Sequence, residues 1–210
     1  MLIKTFTFNS FYENTYVISD DSNNAFVVDP GCYEPYEEEE LTSYIASEGL
    51  HLQFIVNTHC HIDHVLGNRF VQKTYNVPLW IPKGEEKLLD AVRDYSKMWG
   101  IQGYVPAAPD GYLDDHEICL SDLTFQKIEA PGHSPAHVVL YQKEAEILIG
   151  GDVLFRESIG RTDLPGGNHP QLLQSIREQL FTLPEAVTVY PGHGPTTTLG
   201  YEKKNNPFLQ

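Results

Sequence analysis

Apolar and polar positions from Leu2 to Phe8, Asn14 to Ser19 and Ala25 to Val28 read as three strands, joined by polar turns such as Asp20-Asp21-Ser22-Asn23. The period then lengthens. Glu34 to Ser47 predicts a helix with Leu41, Tyr44, Ile45 and Tyr36 facing inward, and with Glu37 to Glu40 in solvent near its N-terminus, where negative charge suits the helix dipole. The apolar run Gln53 to Val56 follows. Val65 to Tyr75 predicts a helix offering Val65, Phe70 and Val71 to a core, Pro78 to Ile81 a short strand, and Leu88, Leu89, Val92, Tyr95 and Trp99 share helical spacing from Glu85 onward. Gly100 to Pro109, rich in Gly, Pro and Ala, reads as a loop whose Ile101, Tyr104 and Val105 either roof a pocket or pack ordinarily. A second β-rich stretch comprises Ile118 to Leu120, Leu123 to Ile128, Val138 to Tyr141, Ile147 to Ile149 and Val187 to Tyr190. A helix over Pro170 to Phe181, with Leu172, Leu173, Ile176 and Leu180 on one face, lies among them. Strands then helix, twice over, imply an α+β fold: an αβ/βα four-layer sandwich, two packed mixed sheets with helices on both outer faces.

The 210 residues, 41% hydrophobic, fill one core, so residues 1–210 are expected to form a single domain. Fourteen basic against twenty-nine acidic residues give a formal charge of −15, a field that repels phosphate backbones and excludes nucleic acid as a partner. No apolar run approaches the roughly 20 residues of a membrane span, and MLIKTFTFNS lacks a signal-peptide core, so a reducing cytoplasm is the expected location. Cys32, Cys60 and Cys119 are odd in number and widely spaced, which does not read as a disulfide framework. Nothing in the pattern fixes an oligomeric state.

The chemistry concentrates in THCHIDH, Thr58 to His64, directly after the Gln53 to Val56 run. Burying His59, His61, Asp63 and His64 together needs a partner for each, and a cation supplies all of them at once. If the chain is still extended at His59 and His61, both imidazoles fall on one side and one ion takes both. Cys60 then turns away as a packed thiol. If a helix begins near Ile62, Asp63 and His64 turn together toward a second ion. Two ions need more ligands than one loop provides, and polar residues do recur beside glycine at strand ends: His133 in APGHSPAH, Asp152 in GGDVLF and His193 in YPGHGP.

THCHIDH, VVDPG, APGHS, GGDVLF and PGHGP, in this order, resemble the metallo-β-lactamase superfamily across nearly the whole chain. The resemblance implies that His59, His61 and His133 bind one metal, that Asp63, His64 and His193 bind the other, and that Asp152 bridges them. Asp63 and Asp152 thereby become the catalytic carboxylates. It further implies that Asp29 of VVDPG hydrogen-bonds a ligand histidine, and that His137, four residues past His133, lies behind the ligands. His51, His116 and His169 have no motif around them and read as ordinary residues. Nitrogen and carboxylate donors suit two zinc ions, and also iron or manganese. Water held between two cations loses its proton near neutral pH and becomes a nucleophile, while the cations polarise a carbonyl.

Within the superfamily, GRTDLPGG (Gly160 to Gly167) and the closing NNPFL resemble single-domain glyoxalase II-like proteins, the hydroxyacylglutathione hydrolases. That implies a small-molecule thioester substrate. Two departures stand out. Few residues follow PGHG, so the C-terminal helical domain that helps such enzymes bind glutathione is not expected, and GRTDLP stands where they tend to have GKFYEG. Arg161 and Asp163 thus occupy substrate-binding positions usually held by lysine and tyrosine, and Arg161 either attracts a substrate carboxylate or pairs with Asp163 or Asp29. The GRTD segment also resembles mononuclear-iron persulfide dioxygenases, but those tend to have PxHDY where this chain has His193-Gly194-Pro195. Lactonase, phosphodiesterase and flavodiiron-type roles are weaker alternatives within the same superfamily.

Overall fold

The computed structural model describes residues 1–114 and 117–210; His116 lies outside the described residues. The chain clusters into two compact units, residues 1–113 with 119–123, and residues 114–118 with 124–210. No helix among the described residues is long and apolar enough to cross a membrane.

The first unit is built on a mixed sheet of β1 (Leu2–Phe8), β2 (Glu13–Ser19), β3 (Asn24–Val28), β4 (His51–Val56), β5 (Leu79–Ile81) and β6 (Gly111–Tyr112), hydrogen-bonded in that order. The first three strands run antiparallel, and β3, β4, β5 and β6 pair in parallel. Alternation decides what each face holds. Phe6, Phe8, Val17, Val27, Ile55 and Leu79 form one buried face, against which helices α1 (Pro35–Ser47), α3 (Asn68–Tyr75) and α4 (Glu86–Tyr95) set Leu41, Ile45, Val71, Leu89 and Val92. On the other face Phe26 stacks on Phe54 at 4.9 Å and Phe54 on Trp80 at 4.7 Å between ring centroids. Each such burial stabilises by about 1.5–3 kcal/mol.

The second unit follows the same logic. Its mixed sheet has the order β14 (Thr197–Thr198), β13 (Thr188–Pro191), β10 (Ile147–Gly151), β9 (Val138–Gln142), β8 (Leu123–Glu129), β7 (Glu117–Leu120), with β10 and β13 parallel and a small hairpin of β11 (Leu154–Phe155) and β12 (Ser158–Ile159) beside it. Val139, Tyr141, Leu148 and Val189 join Leu172 and Ile176 of α5 (His169–Glu178) and Leu199 of α6 (Leu199–Asn205) in one core. The mixed sheets and accompanying helices match the α+β class read from the sequence.

The departures are local and have physical causes. The helix expected over Val65 to Tyr75 is broken into α2 (Ile62–Val65) and α3. Asn9 Nδ2 donates to the Asp63 carbonyl at 3.0 Å, the acceptor that helix continuation would reserve for Gly67, and the Gly67 N–H turns instead to the Pro30 carbonyl at 2.7 Å. In α1 the inward and outward roles of two neighbours are exchanged. Tyr36 is 67% exposed, whereas Glu37 is buried and accepts the N–H groups of Asn9, Tyr33 and Glu34 at 2.6, 2.8 and 3.0 Å. Past Tyr95 the chain tightens into a 3₁₀ turn over Ser96–Trp99, which rotates Trp99 out of the Leu89 and Val92 face to half exposure. On the following loop Ile101 is buried in the core while Val105 is exposed. His51 and His169 are exposed, as ordinary surface residues are.

Candidate metal centre

In the first unit the ligand-bearing segment begins where β4 ends. The Asn57 side chain closes it, with Nδ2 donating to the His64 carbonyl at 2.9 Å and Oδ1 accepting from Asn68 at 2.7 Å. His61 is extended, with φ −70° and ψ 155°, and α2 starts at the next residue, as the motif predicts. The His59 ring lies 4.9 Å from that of His61 and 4.2 Å from that of His64. Asp63 Oδ2 is 3.6 Å from His64 Nε2, so these two side chains do turn to the same point.

Asp29 organises this segment. It sits just past β3 at φ +49°, a left-handed conformation uncommon outside glycine and asparagine, and it accepts the Thr58 N–H at 2.7 Å, the Thr58 hydroxyl at 2.6 Å and His64 Nδ1 at 3.1 Å. Because the Thr58 proton goes to Asp29, the hydroxyl oxygen is the acceptor for His59 Nδ1, 3.1 Å away. Both imidazoles therefore carry their proton on Nδ1 and the lone pair on Nε2, the form that ligates a metal. Ligand atoms of Asp29, His59 and His64 lie within 4.8 Å of one another.

Two further buried acids surround the segment. Glu13 comes within 3.9 Å of His64 Nδ1, and burial pushes its carboxyl well above the ordinary value, with Asp29 and Asp63 adding to the rise and His64 opposing it. Glu85 accepts the Cys60 N–H at 3.0 Å. The Cys60 thiol is buried and pushed up, first by burial and then by Glu85, which makes it a packed and inert group. Sequence reasoning missed Glu13, Thr58 and Glu85. Glu13 opens a strand whose first three residues, Glu13-Asn14-Thr15, are all polar, and nothing in Gly84-Glu85-Glu86 separates the buried glutamate from its partly buried neighbour, so neither acid stands out in the sequence.

In the second unit β8, β10 and β13 end in loops carrying His133, Asp152 and His193. His133 Nε2 lies 3.4 Å and His193 Nε2 3.6 Å from the same atom, Asp152 Oδ2. His133 Nδ1 donates to the Arg161 carbonyl at 2.8 Å, fixing the same tautomer as in the first unit. His137 is buried, and its Nε2 accepts the Asp152 N–H at 3.0 Å, so it holds the carboxylate's backbone from behind. Gly160 makes this closeness feasible, since a Cβ there would sit 1.9 Å from the Asp152 carbonyl oxygen and 3.1 Å from His133 Nδ1. Arg161 and Asp163 form a bidentate pair at 2.7 and 2.8 Å, which depresses the Asp163 carboxyl to about 2. The guanidinium is paired within its own loop.

These donors fit divalent cations. The first unit buries Asp29, Asp63 and Glu85 around the histidine-rich loop, and no lysine or arginine is buried among the described residues, so the loop carries an excess of acidic groups that a cation offsets. In the second unit two imidazoles converge on one carboxylate oxygen, a donor set that suits a divalent cation.

Residues 9–193 match the family described as the metallo-beta-lactamase superfamily. The chain is 34% identical over 212 residues to the hydroxyacylglutathione hydrolase GloC of Haemophilus influenzae, covering 100% of this chain and 98% of that protein. Its fold is similar to that of BLEG-1, a B3 metallo-beta-lactamase, with TM-score 0.91, 36% identity and full coverage of both chains. It is likewise similar to TTHA1623, solved in a di-iron-bound form, with TM-score 0.87, 34% identity and full coverage of both.

Proposed function

The chain belongs to the metallo-beta-lactamase superfamily, and from that membership we propose that this metallo-hydrolase acts on thioesters such as S-2-hydroxyacylglutathione. The observation that carries the reading is the ligand chemistry. His59, His64 and His133 each have Nδ1 tied to an oxygen acceptor, leaving Nε2 as the donor toward an ion. We assign His59, His61 and His133 to one ion, Asp63, His64 and His193 to the other, and Asp152 to both, with zinc or iron as the metal. When bound, such ions supply a nucleophilic water near neutral pH and polarise the scissile carbonyl. The residues' own part is to keep each Nε2 unprotonated and oriented: Asp29 holds the His64 Nδ1 proton, Thr58 that of His59, and His137 fixes the Asp152 backbone. A thiolate leaves without a proton donor, so a thioester asks least of a site built only from ligands. A cytoplasmic location and single-domain action over residues 1–210 belong to the same proposal.

Substrate discrimination is expected to be modest. Arg161 is committed to Asp163, so the loop offers little free positive charge to the carboxylates of glutathione. S-lactoylglutathione should be hydrolysed with a high KM, and other small 2-hydroxyacyl thioesters should fall within roughly tenfold in kcat/KM, about 1.4 kcal/mol. The test is kcat/KM over thioesters differing only in the thiol, with a β-lactam and glutathione persulfide as comparison substrates. A preference for glutathione above about a hundredfold, some 2.7 kcal/mol, would overturn the weak-recognition claim. Oxygen consumption with the persulfide, or β-lactam turnover, with no thioester hydrolysis would overturn the reaction class.

A further inference from the structure

Glu85 lies outside every motif that carries the ligands, yet its side chain is completely buried and reaches the centre of one of them. It stands at the N-cap position of α4 but makes no side-chain cap bond there, and Glu86 beside it is only partly buried and accepts the Gly84 N–H. Its Oε2 accepts the N–H of Cys60, the residue between His59 and His61. A buried carboxylate is costly to keep unless hydrogen-bond donors meet its oxygens, and the Cys60 N–H is such a donor.

We propose that Glu85 is a positioning residue for the metal loop, setting the peptide plane between His59 and His61 and thereby the angle at which their two imidazoles meet an ion. This rests on the metal-centre reading above. The loop is held at two alternate amides, Thr58 N–H by Asp29 and Cys60 N–H by Glu85. Each ligand histidine of the pair thus follows an amide anchored to a buried carboxylate from a different element, one just past β3 and one at the start of α4. With both anchors present, the His59 and His61 rings stand nearly perpendicular, at 89°. Without Glu85 the Cys60 amide loses its acceptor, and the 59–61 segment can rotate about the remaining anchor. Fixing ligands before binding removes an ordering cost that the ion would otherwise meet.

The test compares wild type with Glu85→Met, which fills the volume without an acceptor, and Glu85→Gln, whose amide oxygen can still take the Cys60 N–H. Zn(II) affinity is measured by competition with a chromogenic chelator, and the visible absorption of the Co(II)-substituted protein reports ligand geometry. Glu85→Met should weaken Zn(II) binding by about 10- to 100-fold and alter the Co(II) spectrum. Glu85→Gln should restore both to near wild type. Glu202, equally buried but bonded to Thr197 and Asn206, serves as control: Glu202→Gln should leave the spectrum unchanged. Wild-type affinity and spectrum in Glu85→Met, or a Gln variant as impaired as the Met variant, would overturn the proposal. Should Glu85→Met not fold, amide exchange in the wild-type protein decides: a slowly exchanging Cys60 N–H supports the anchor and a fast one overturns it. Failure of the wild type to bind Zn(II) would instead count against the metal-centre reading itself.

Discussion

The two regions that carry the proposed metal ligands are braced by different means. In the first unit His59, His61, Asp63 and His64 sit on one short segment, and buried carboxylates from other elements hold two of its amides and the His64 imidazole. In the second unit His133, Asp152 and His193 come from three separate strand ends, and the braces are a backbone carbonyl and a neutral imidazole. The difference follows from chain economy: a segment with four candidate ligands in six positions has few backbone groups to spare, so side chains must come to it. A ligand at the end of its own strand inherits its position from the sheet. The first region should therefore depend on individual supporting residues, and the second should tolerate their loss better.

That contrast can be broken by substitution. Asp29→Ala has the largest expected effect, because it strips the acceptor from two N–H groups and a hydroxyl inside the core. Metal affinity should fall by more than about 100-fold and stability by about 3 kcal/mol or more, read by chelator competition and denaturant unfolding. Next comes Gly160→Ala, whose added methyl meets the Asp152 carbonyl. The Asp152 loop must shift, and a loss of thioester kcat/KM of roughly tenfold or more is expected, a 1 Å displacement being enough for such effects. His137→Ala removes the acceptor of the Asp152 amide and should cost about tenfold in metal affinity. An effect as large as that of Asp29→Ala would erase the distinction between the regions. The smallest effect is expected from thiol labelling. Cys32 and Cys60 are buried and Cys119 is exposed, so the native protein should react rapidly with one equivalent of a thiol reagent and lose no activity. Reaction at Cys60 without unfolding would show that the first region is looser than described.

Much of this was legible in the chain because it depended on local pattern. The period-two runs located the major strands, and crowding of His59, His61, Asp63 and His64 announced the loop. The short β11 to β12 hairpin, β14 and α6 carry too few residues to show a period. Burial of Glu37 was illegible for another reason: it depends on amides of Asn9 and Tyr33, and the first of these lies far away in sequence. The same holds for Glu85, whose bond from Cys60 spans 25 residues, and for the approach of Glu13 to His64. Arg161 illustrates the opposite case, where a local pair two residues apart was among the alternatives and is the one formed.

The central claim is a centre of two metal ions working on a thioester, and stepwise reconstitution of the metal-free protein tests it most directly. Zn(II) or Fe(II) is added in equivalents while S-lactoylglutathione hydrolysis and bound metal are measured together. The account predicts uptake of two ions per chain with activity rising until the second is bound, and loss of both ions on Asp152→Ala, whereas His193→Ala keeps the first. Full activity at one equivalent, with no further uptake under metal excess, would contradict it.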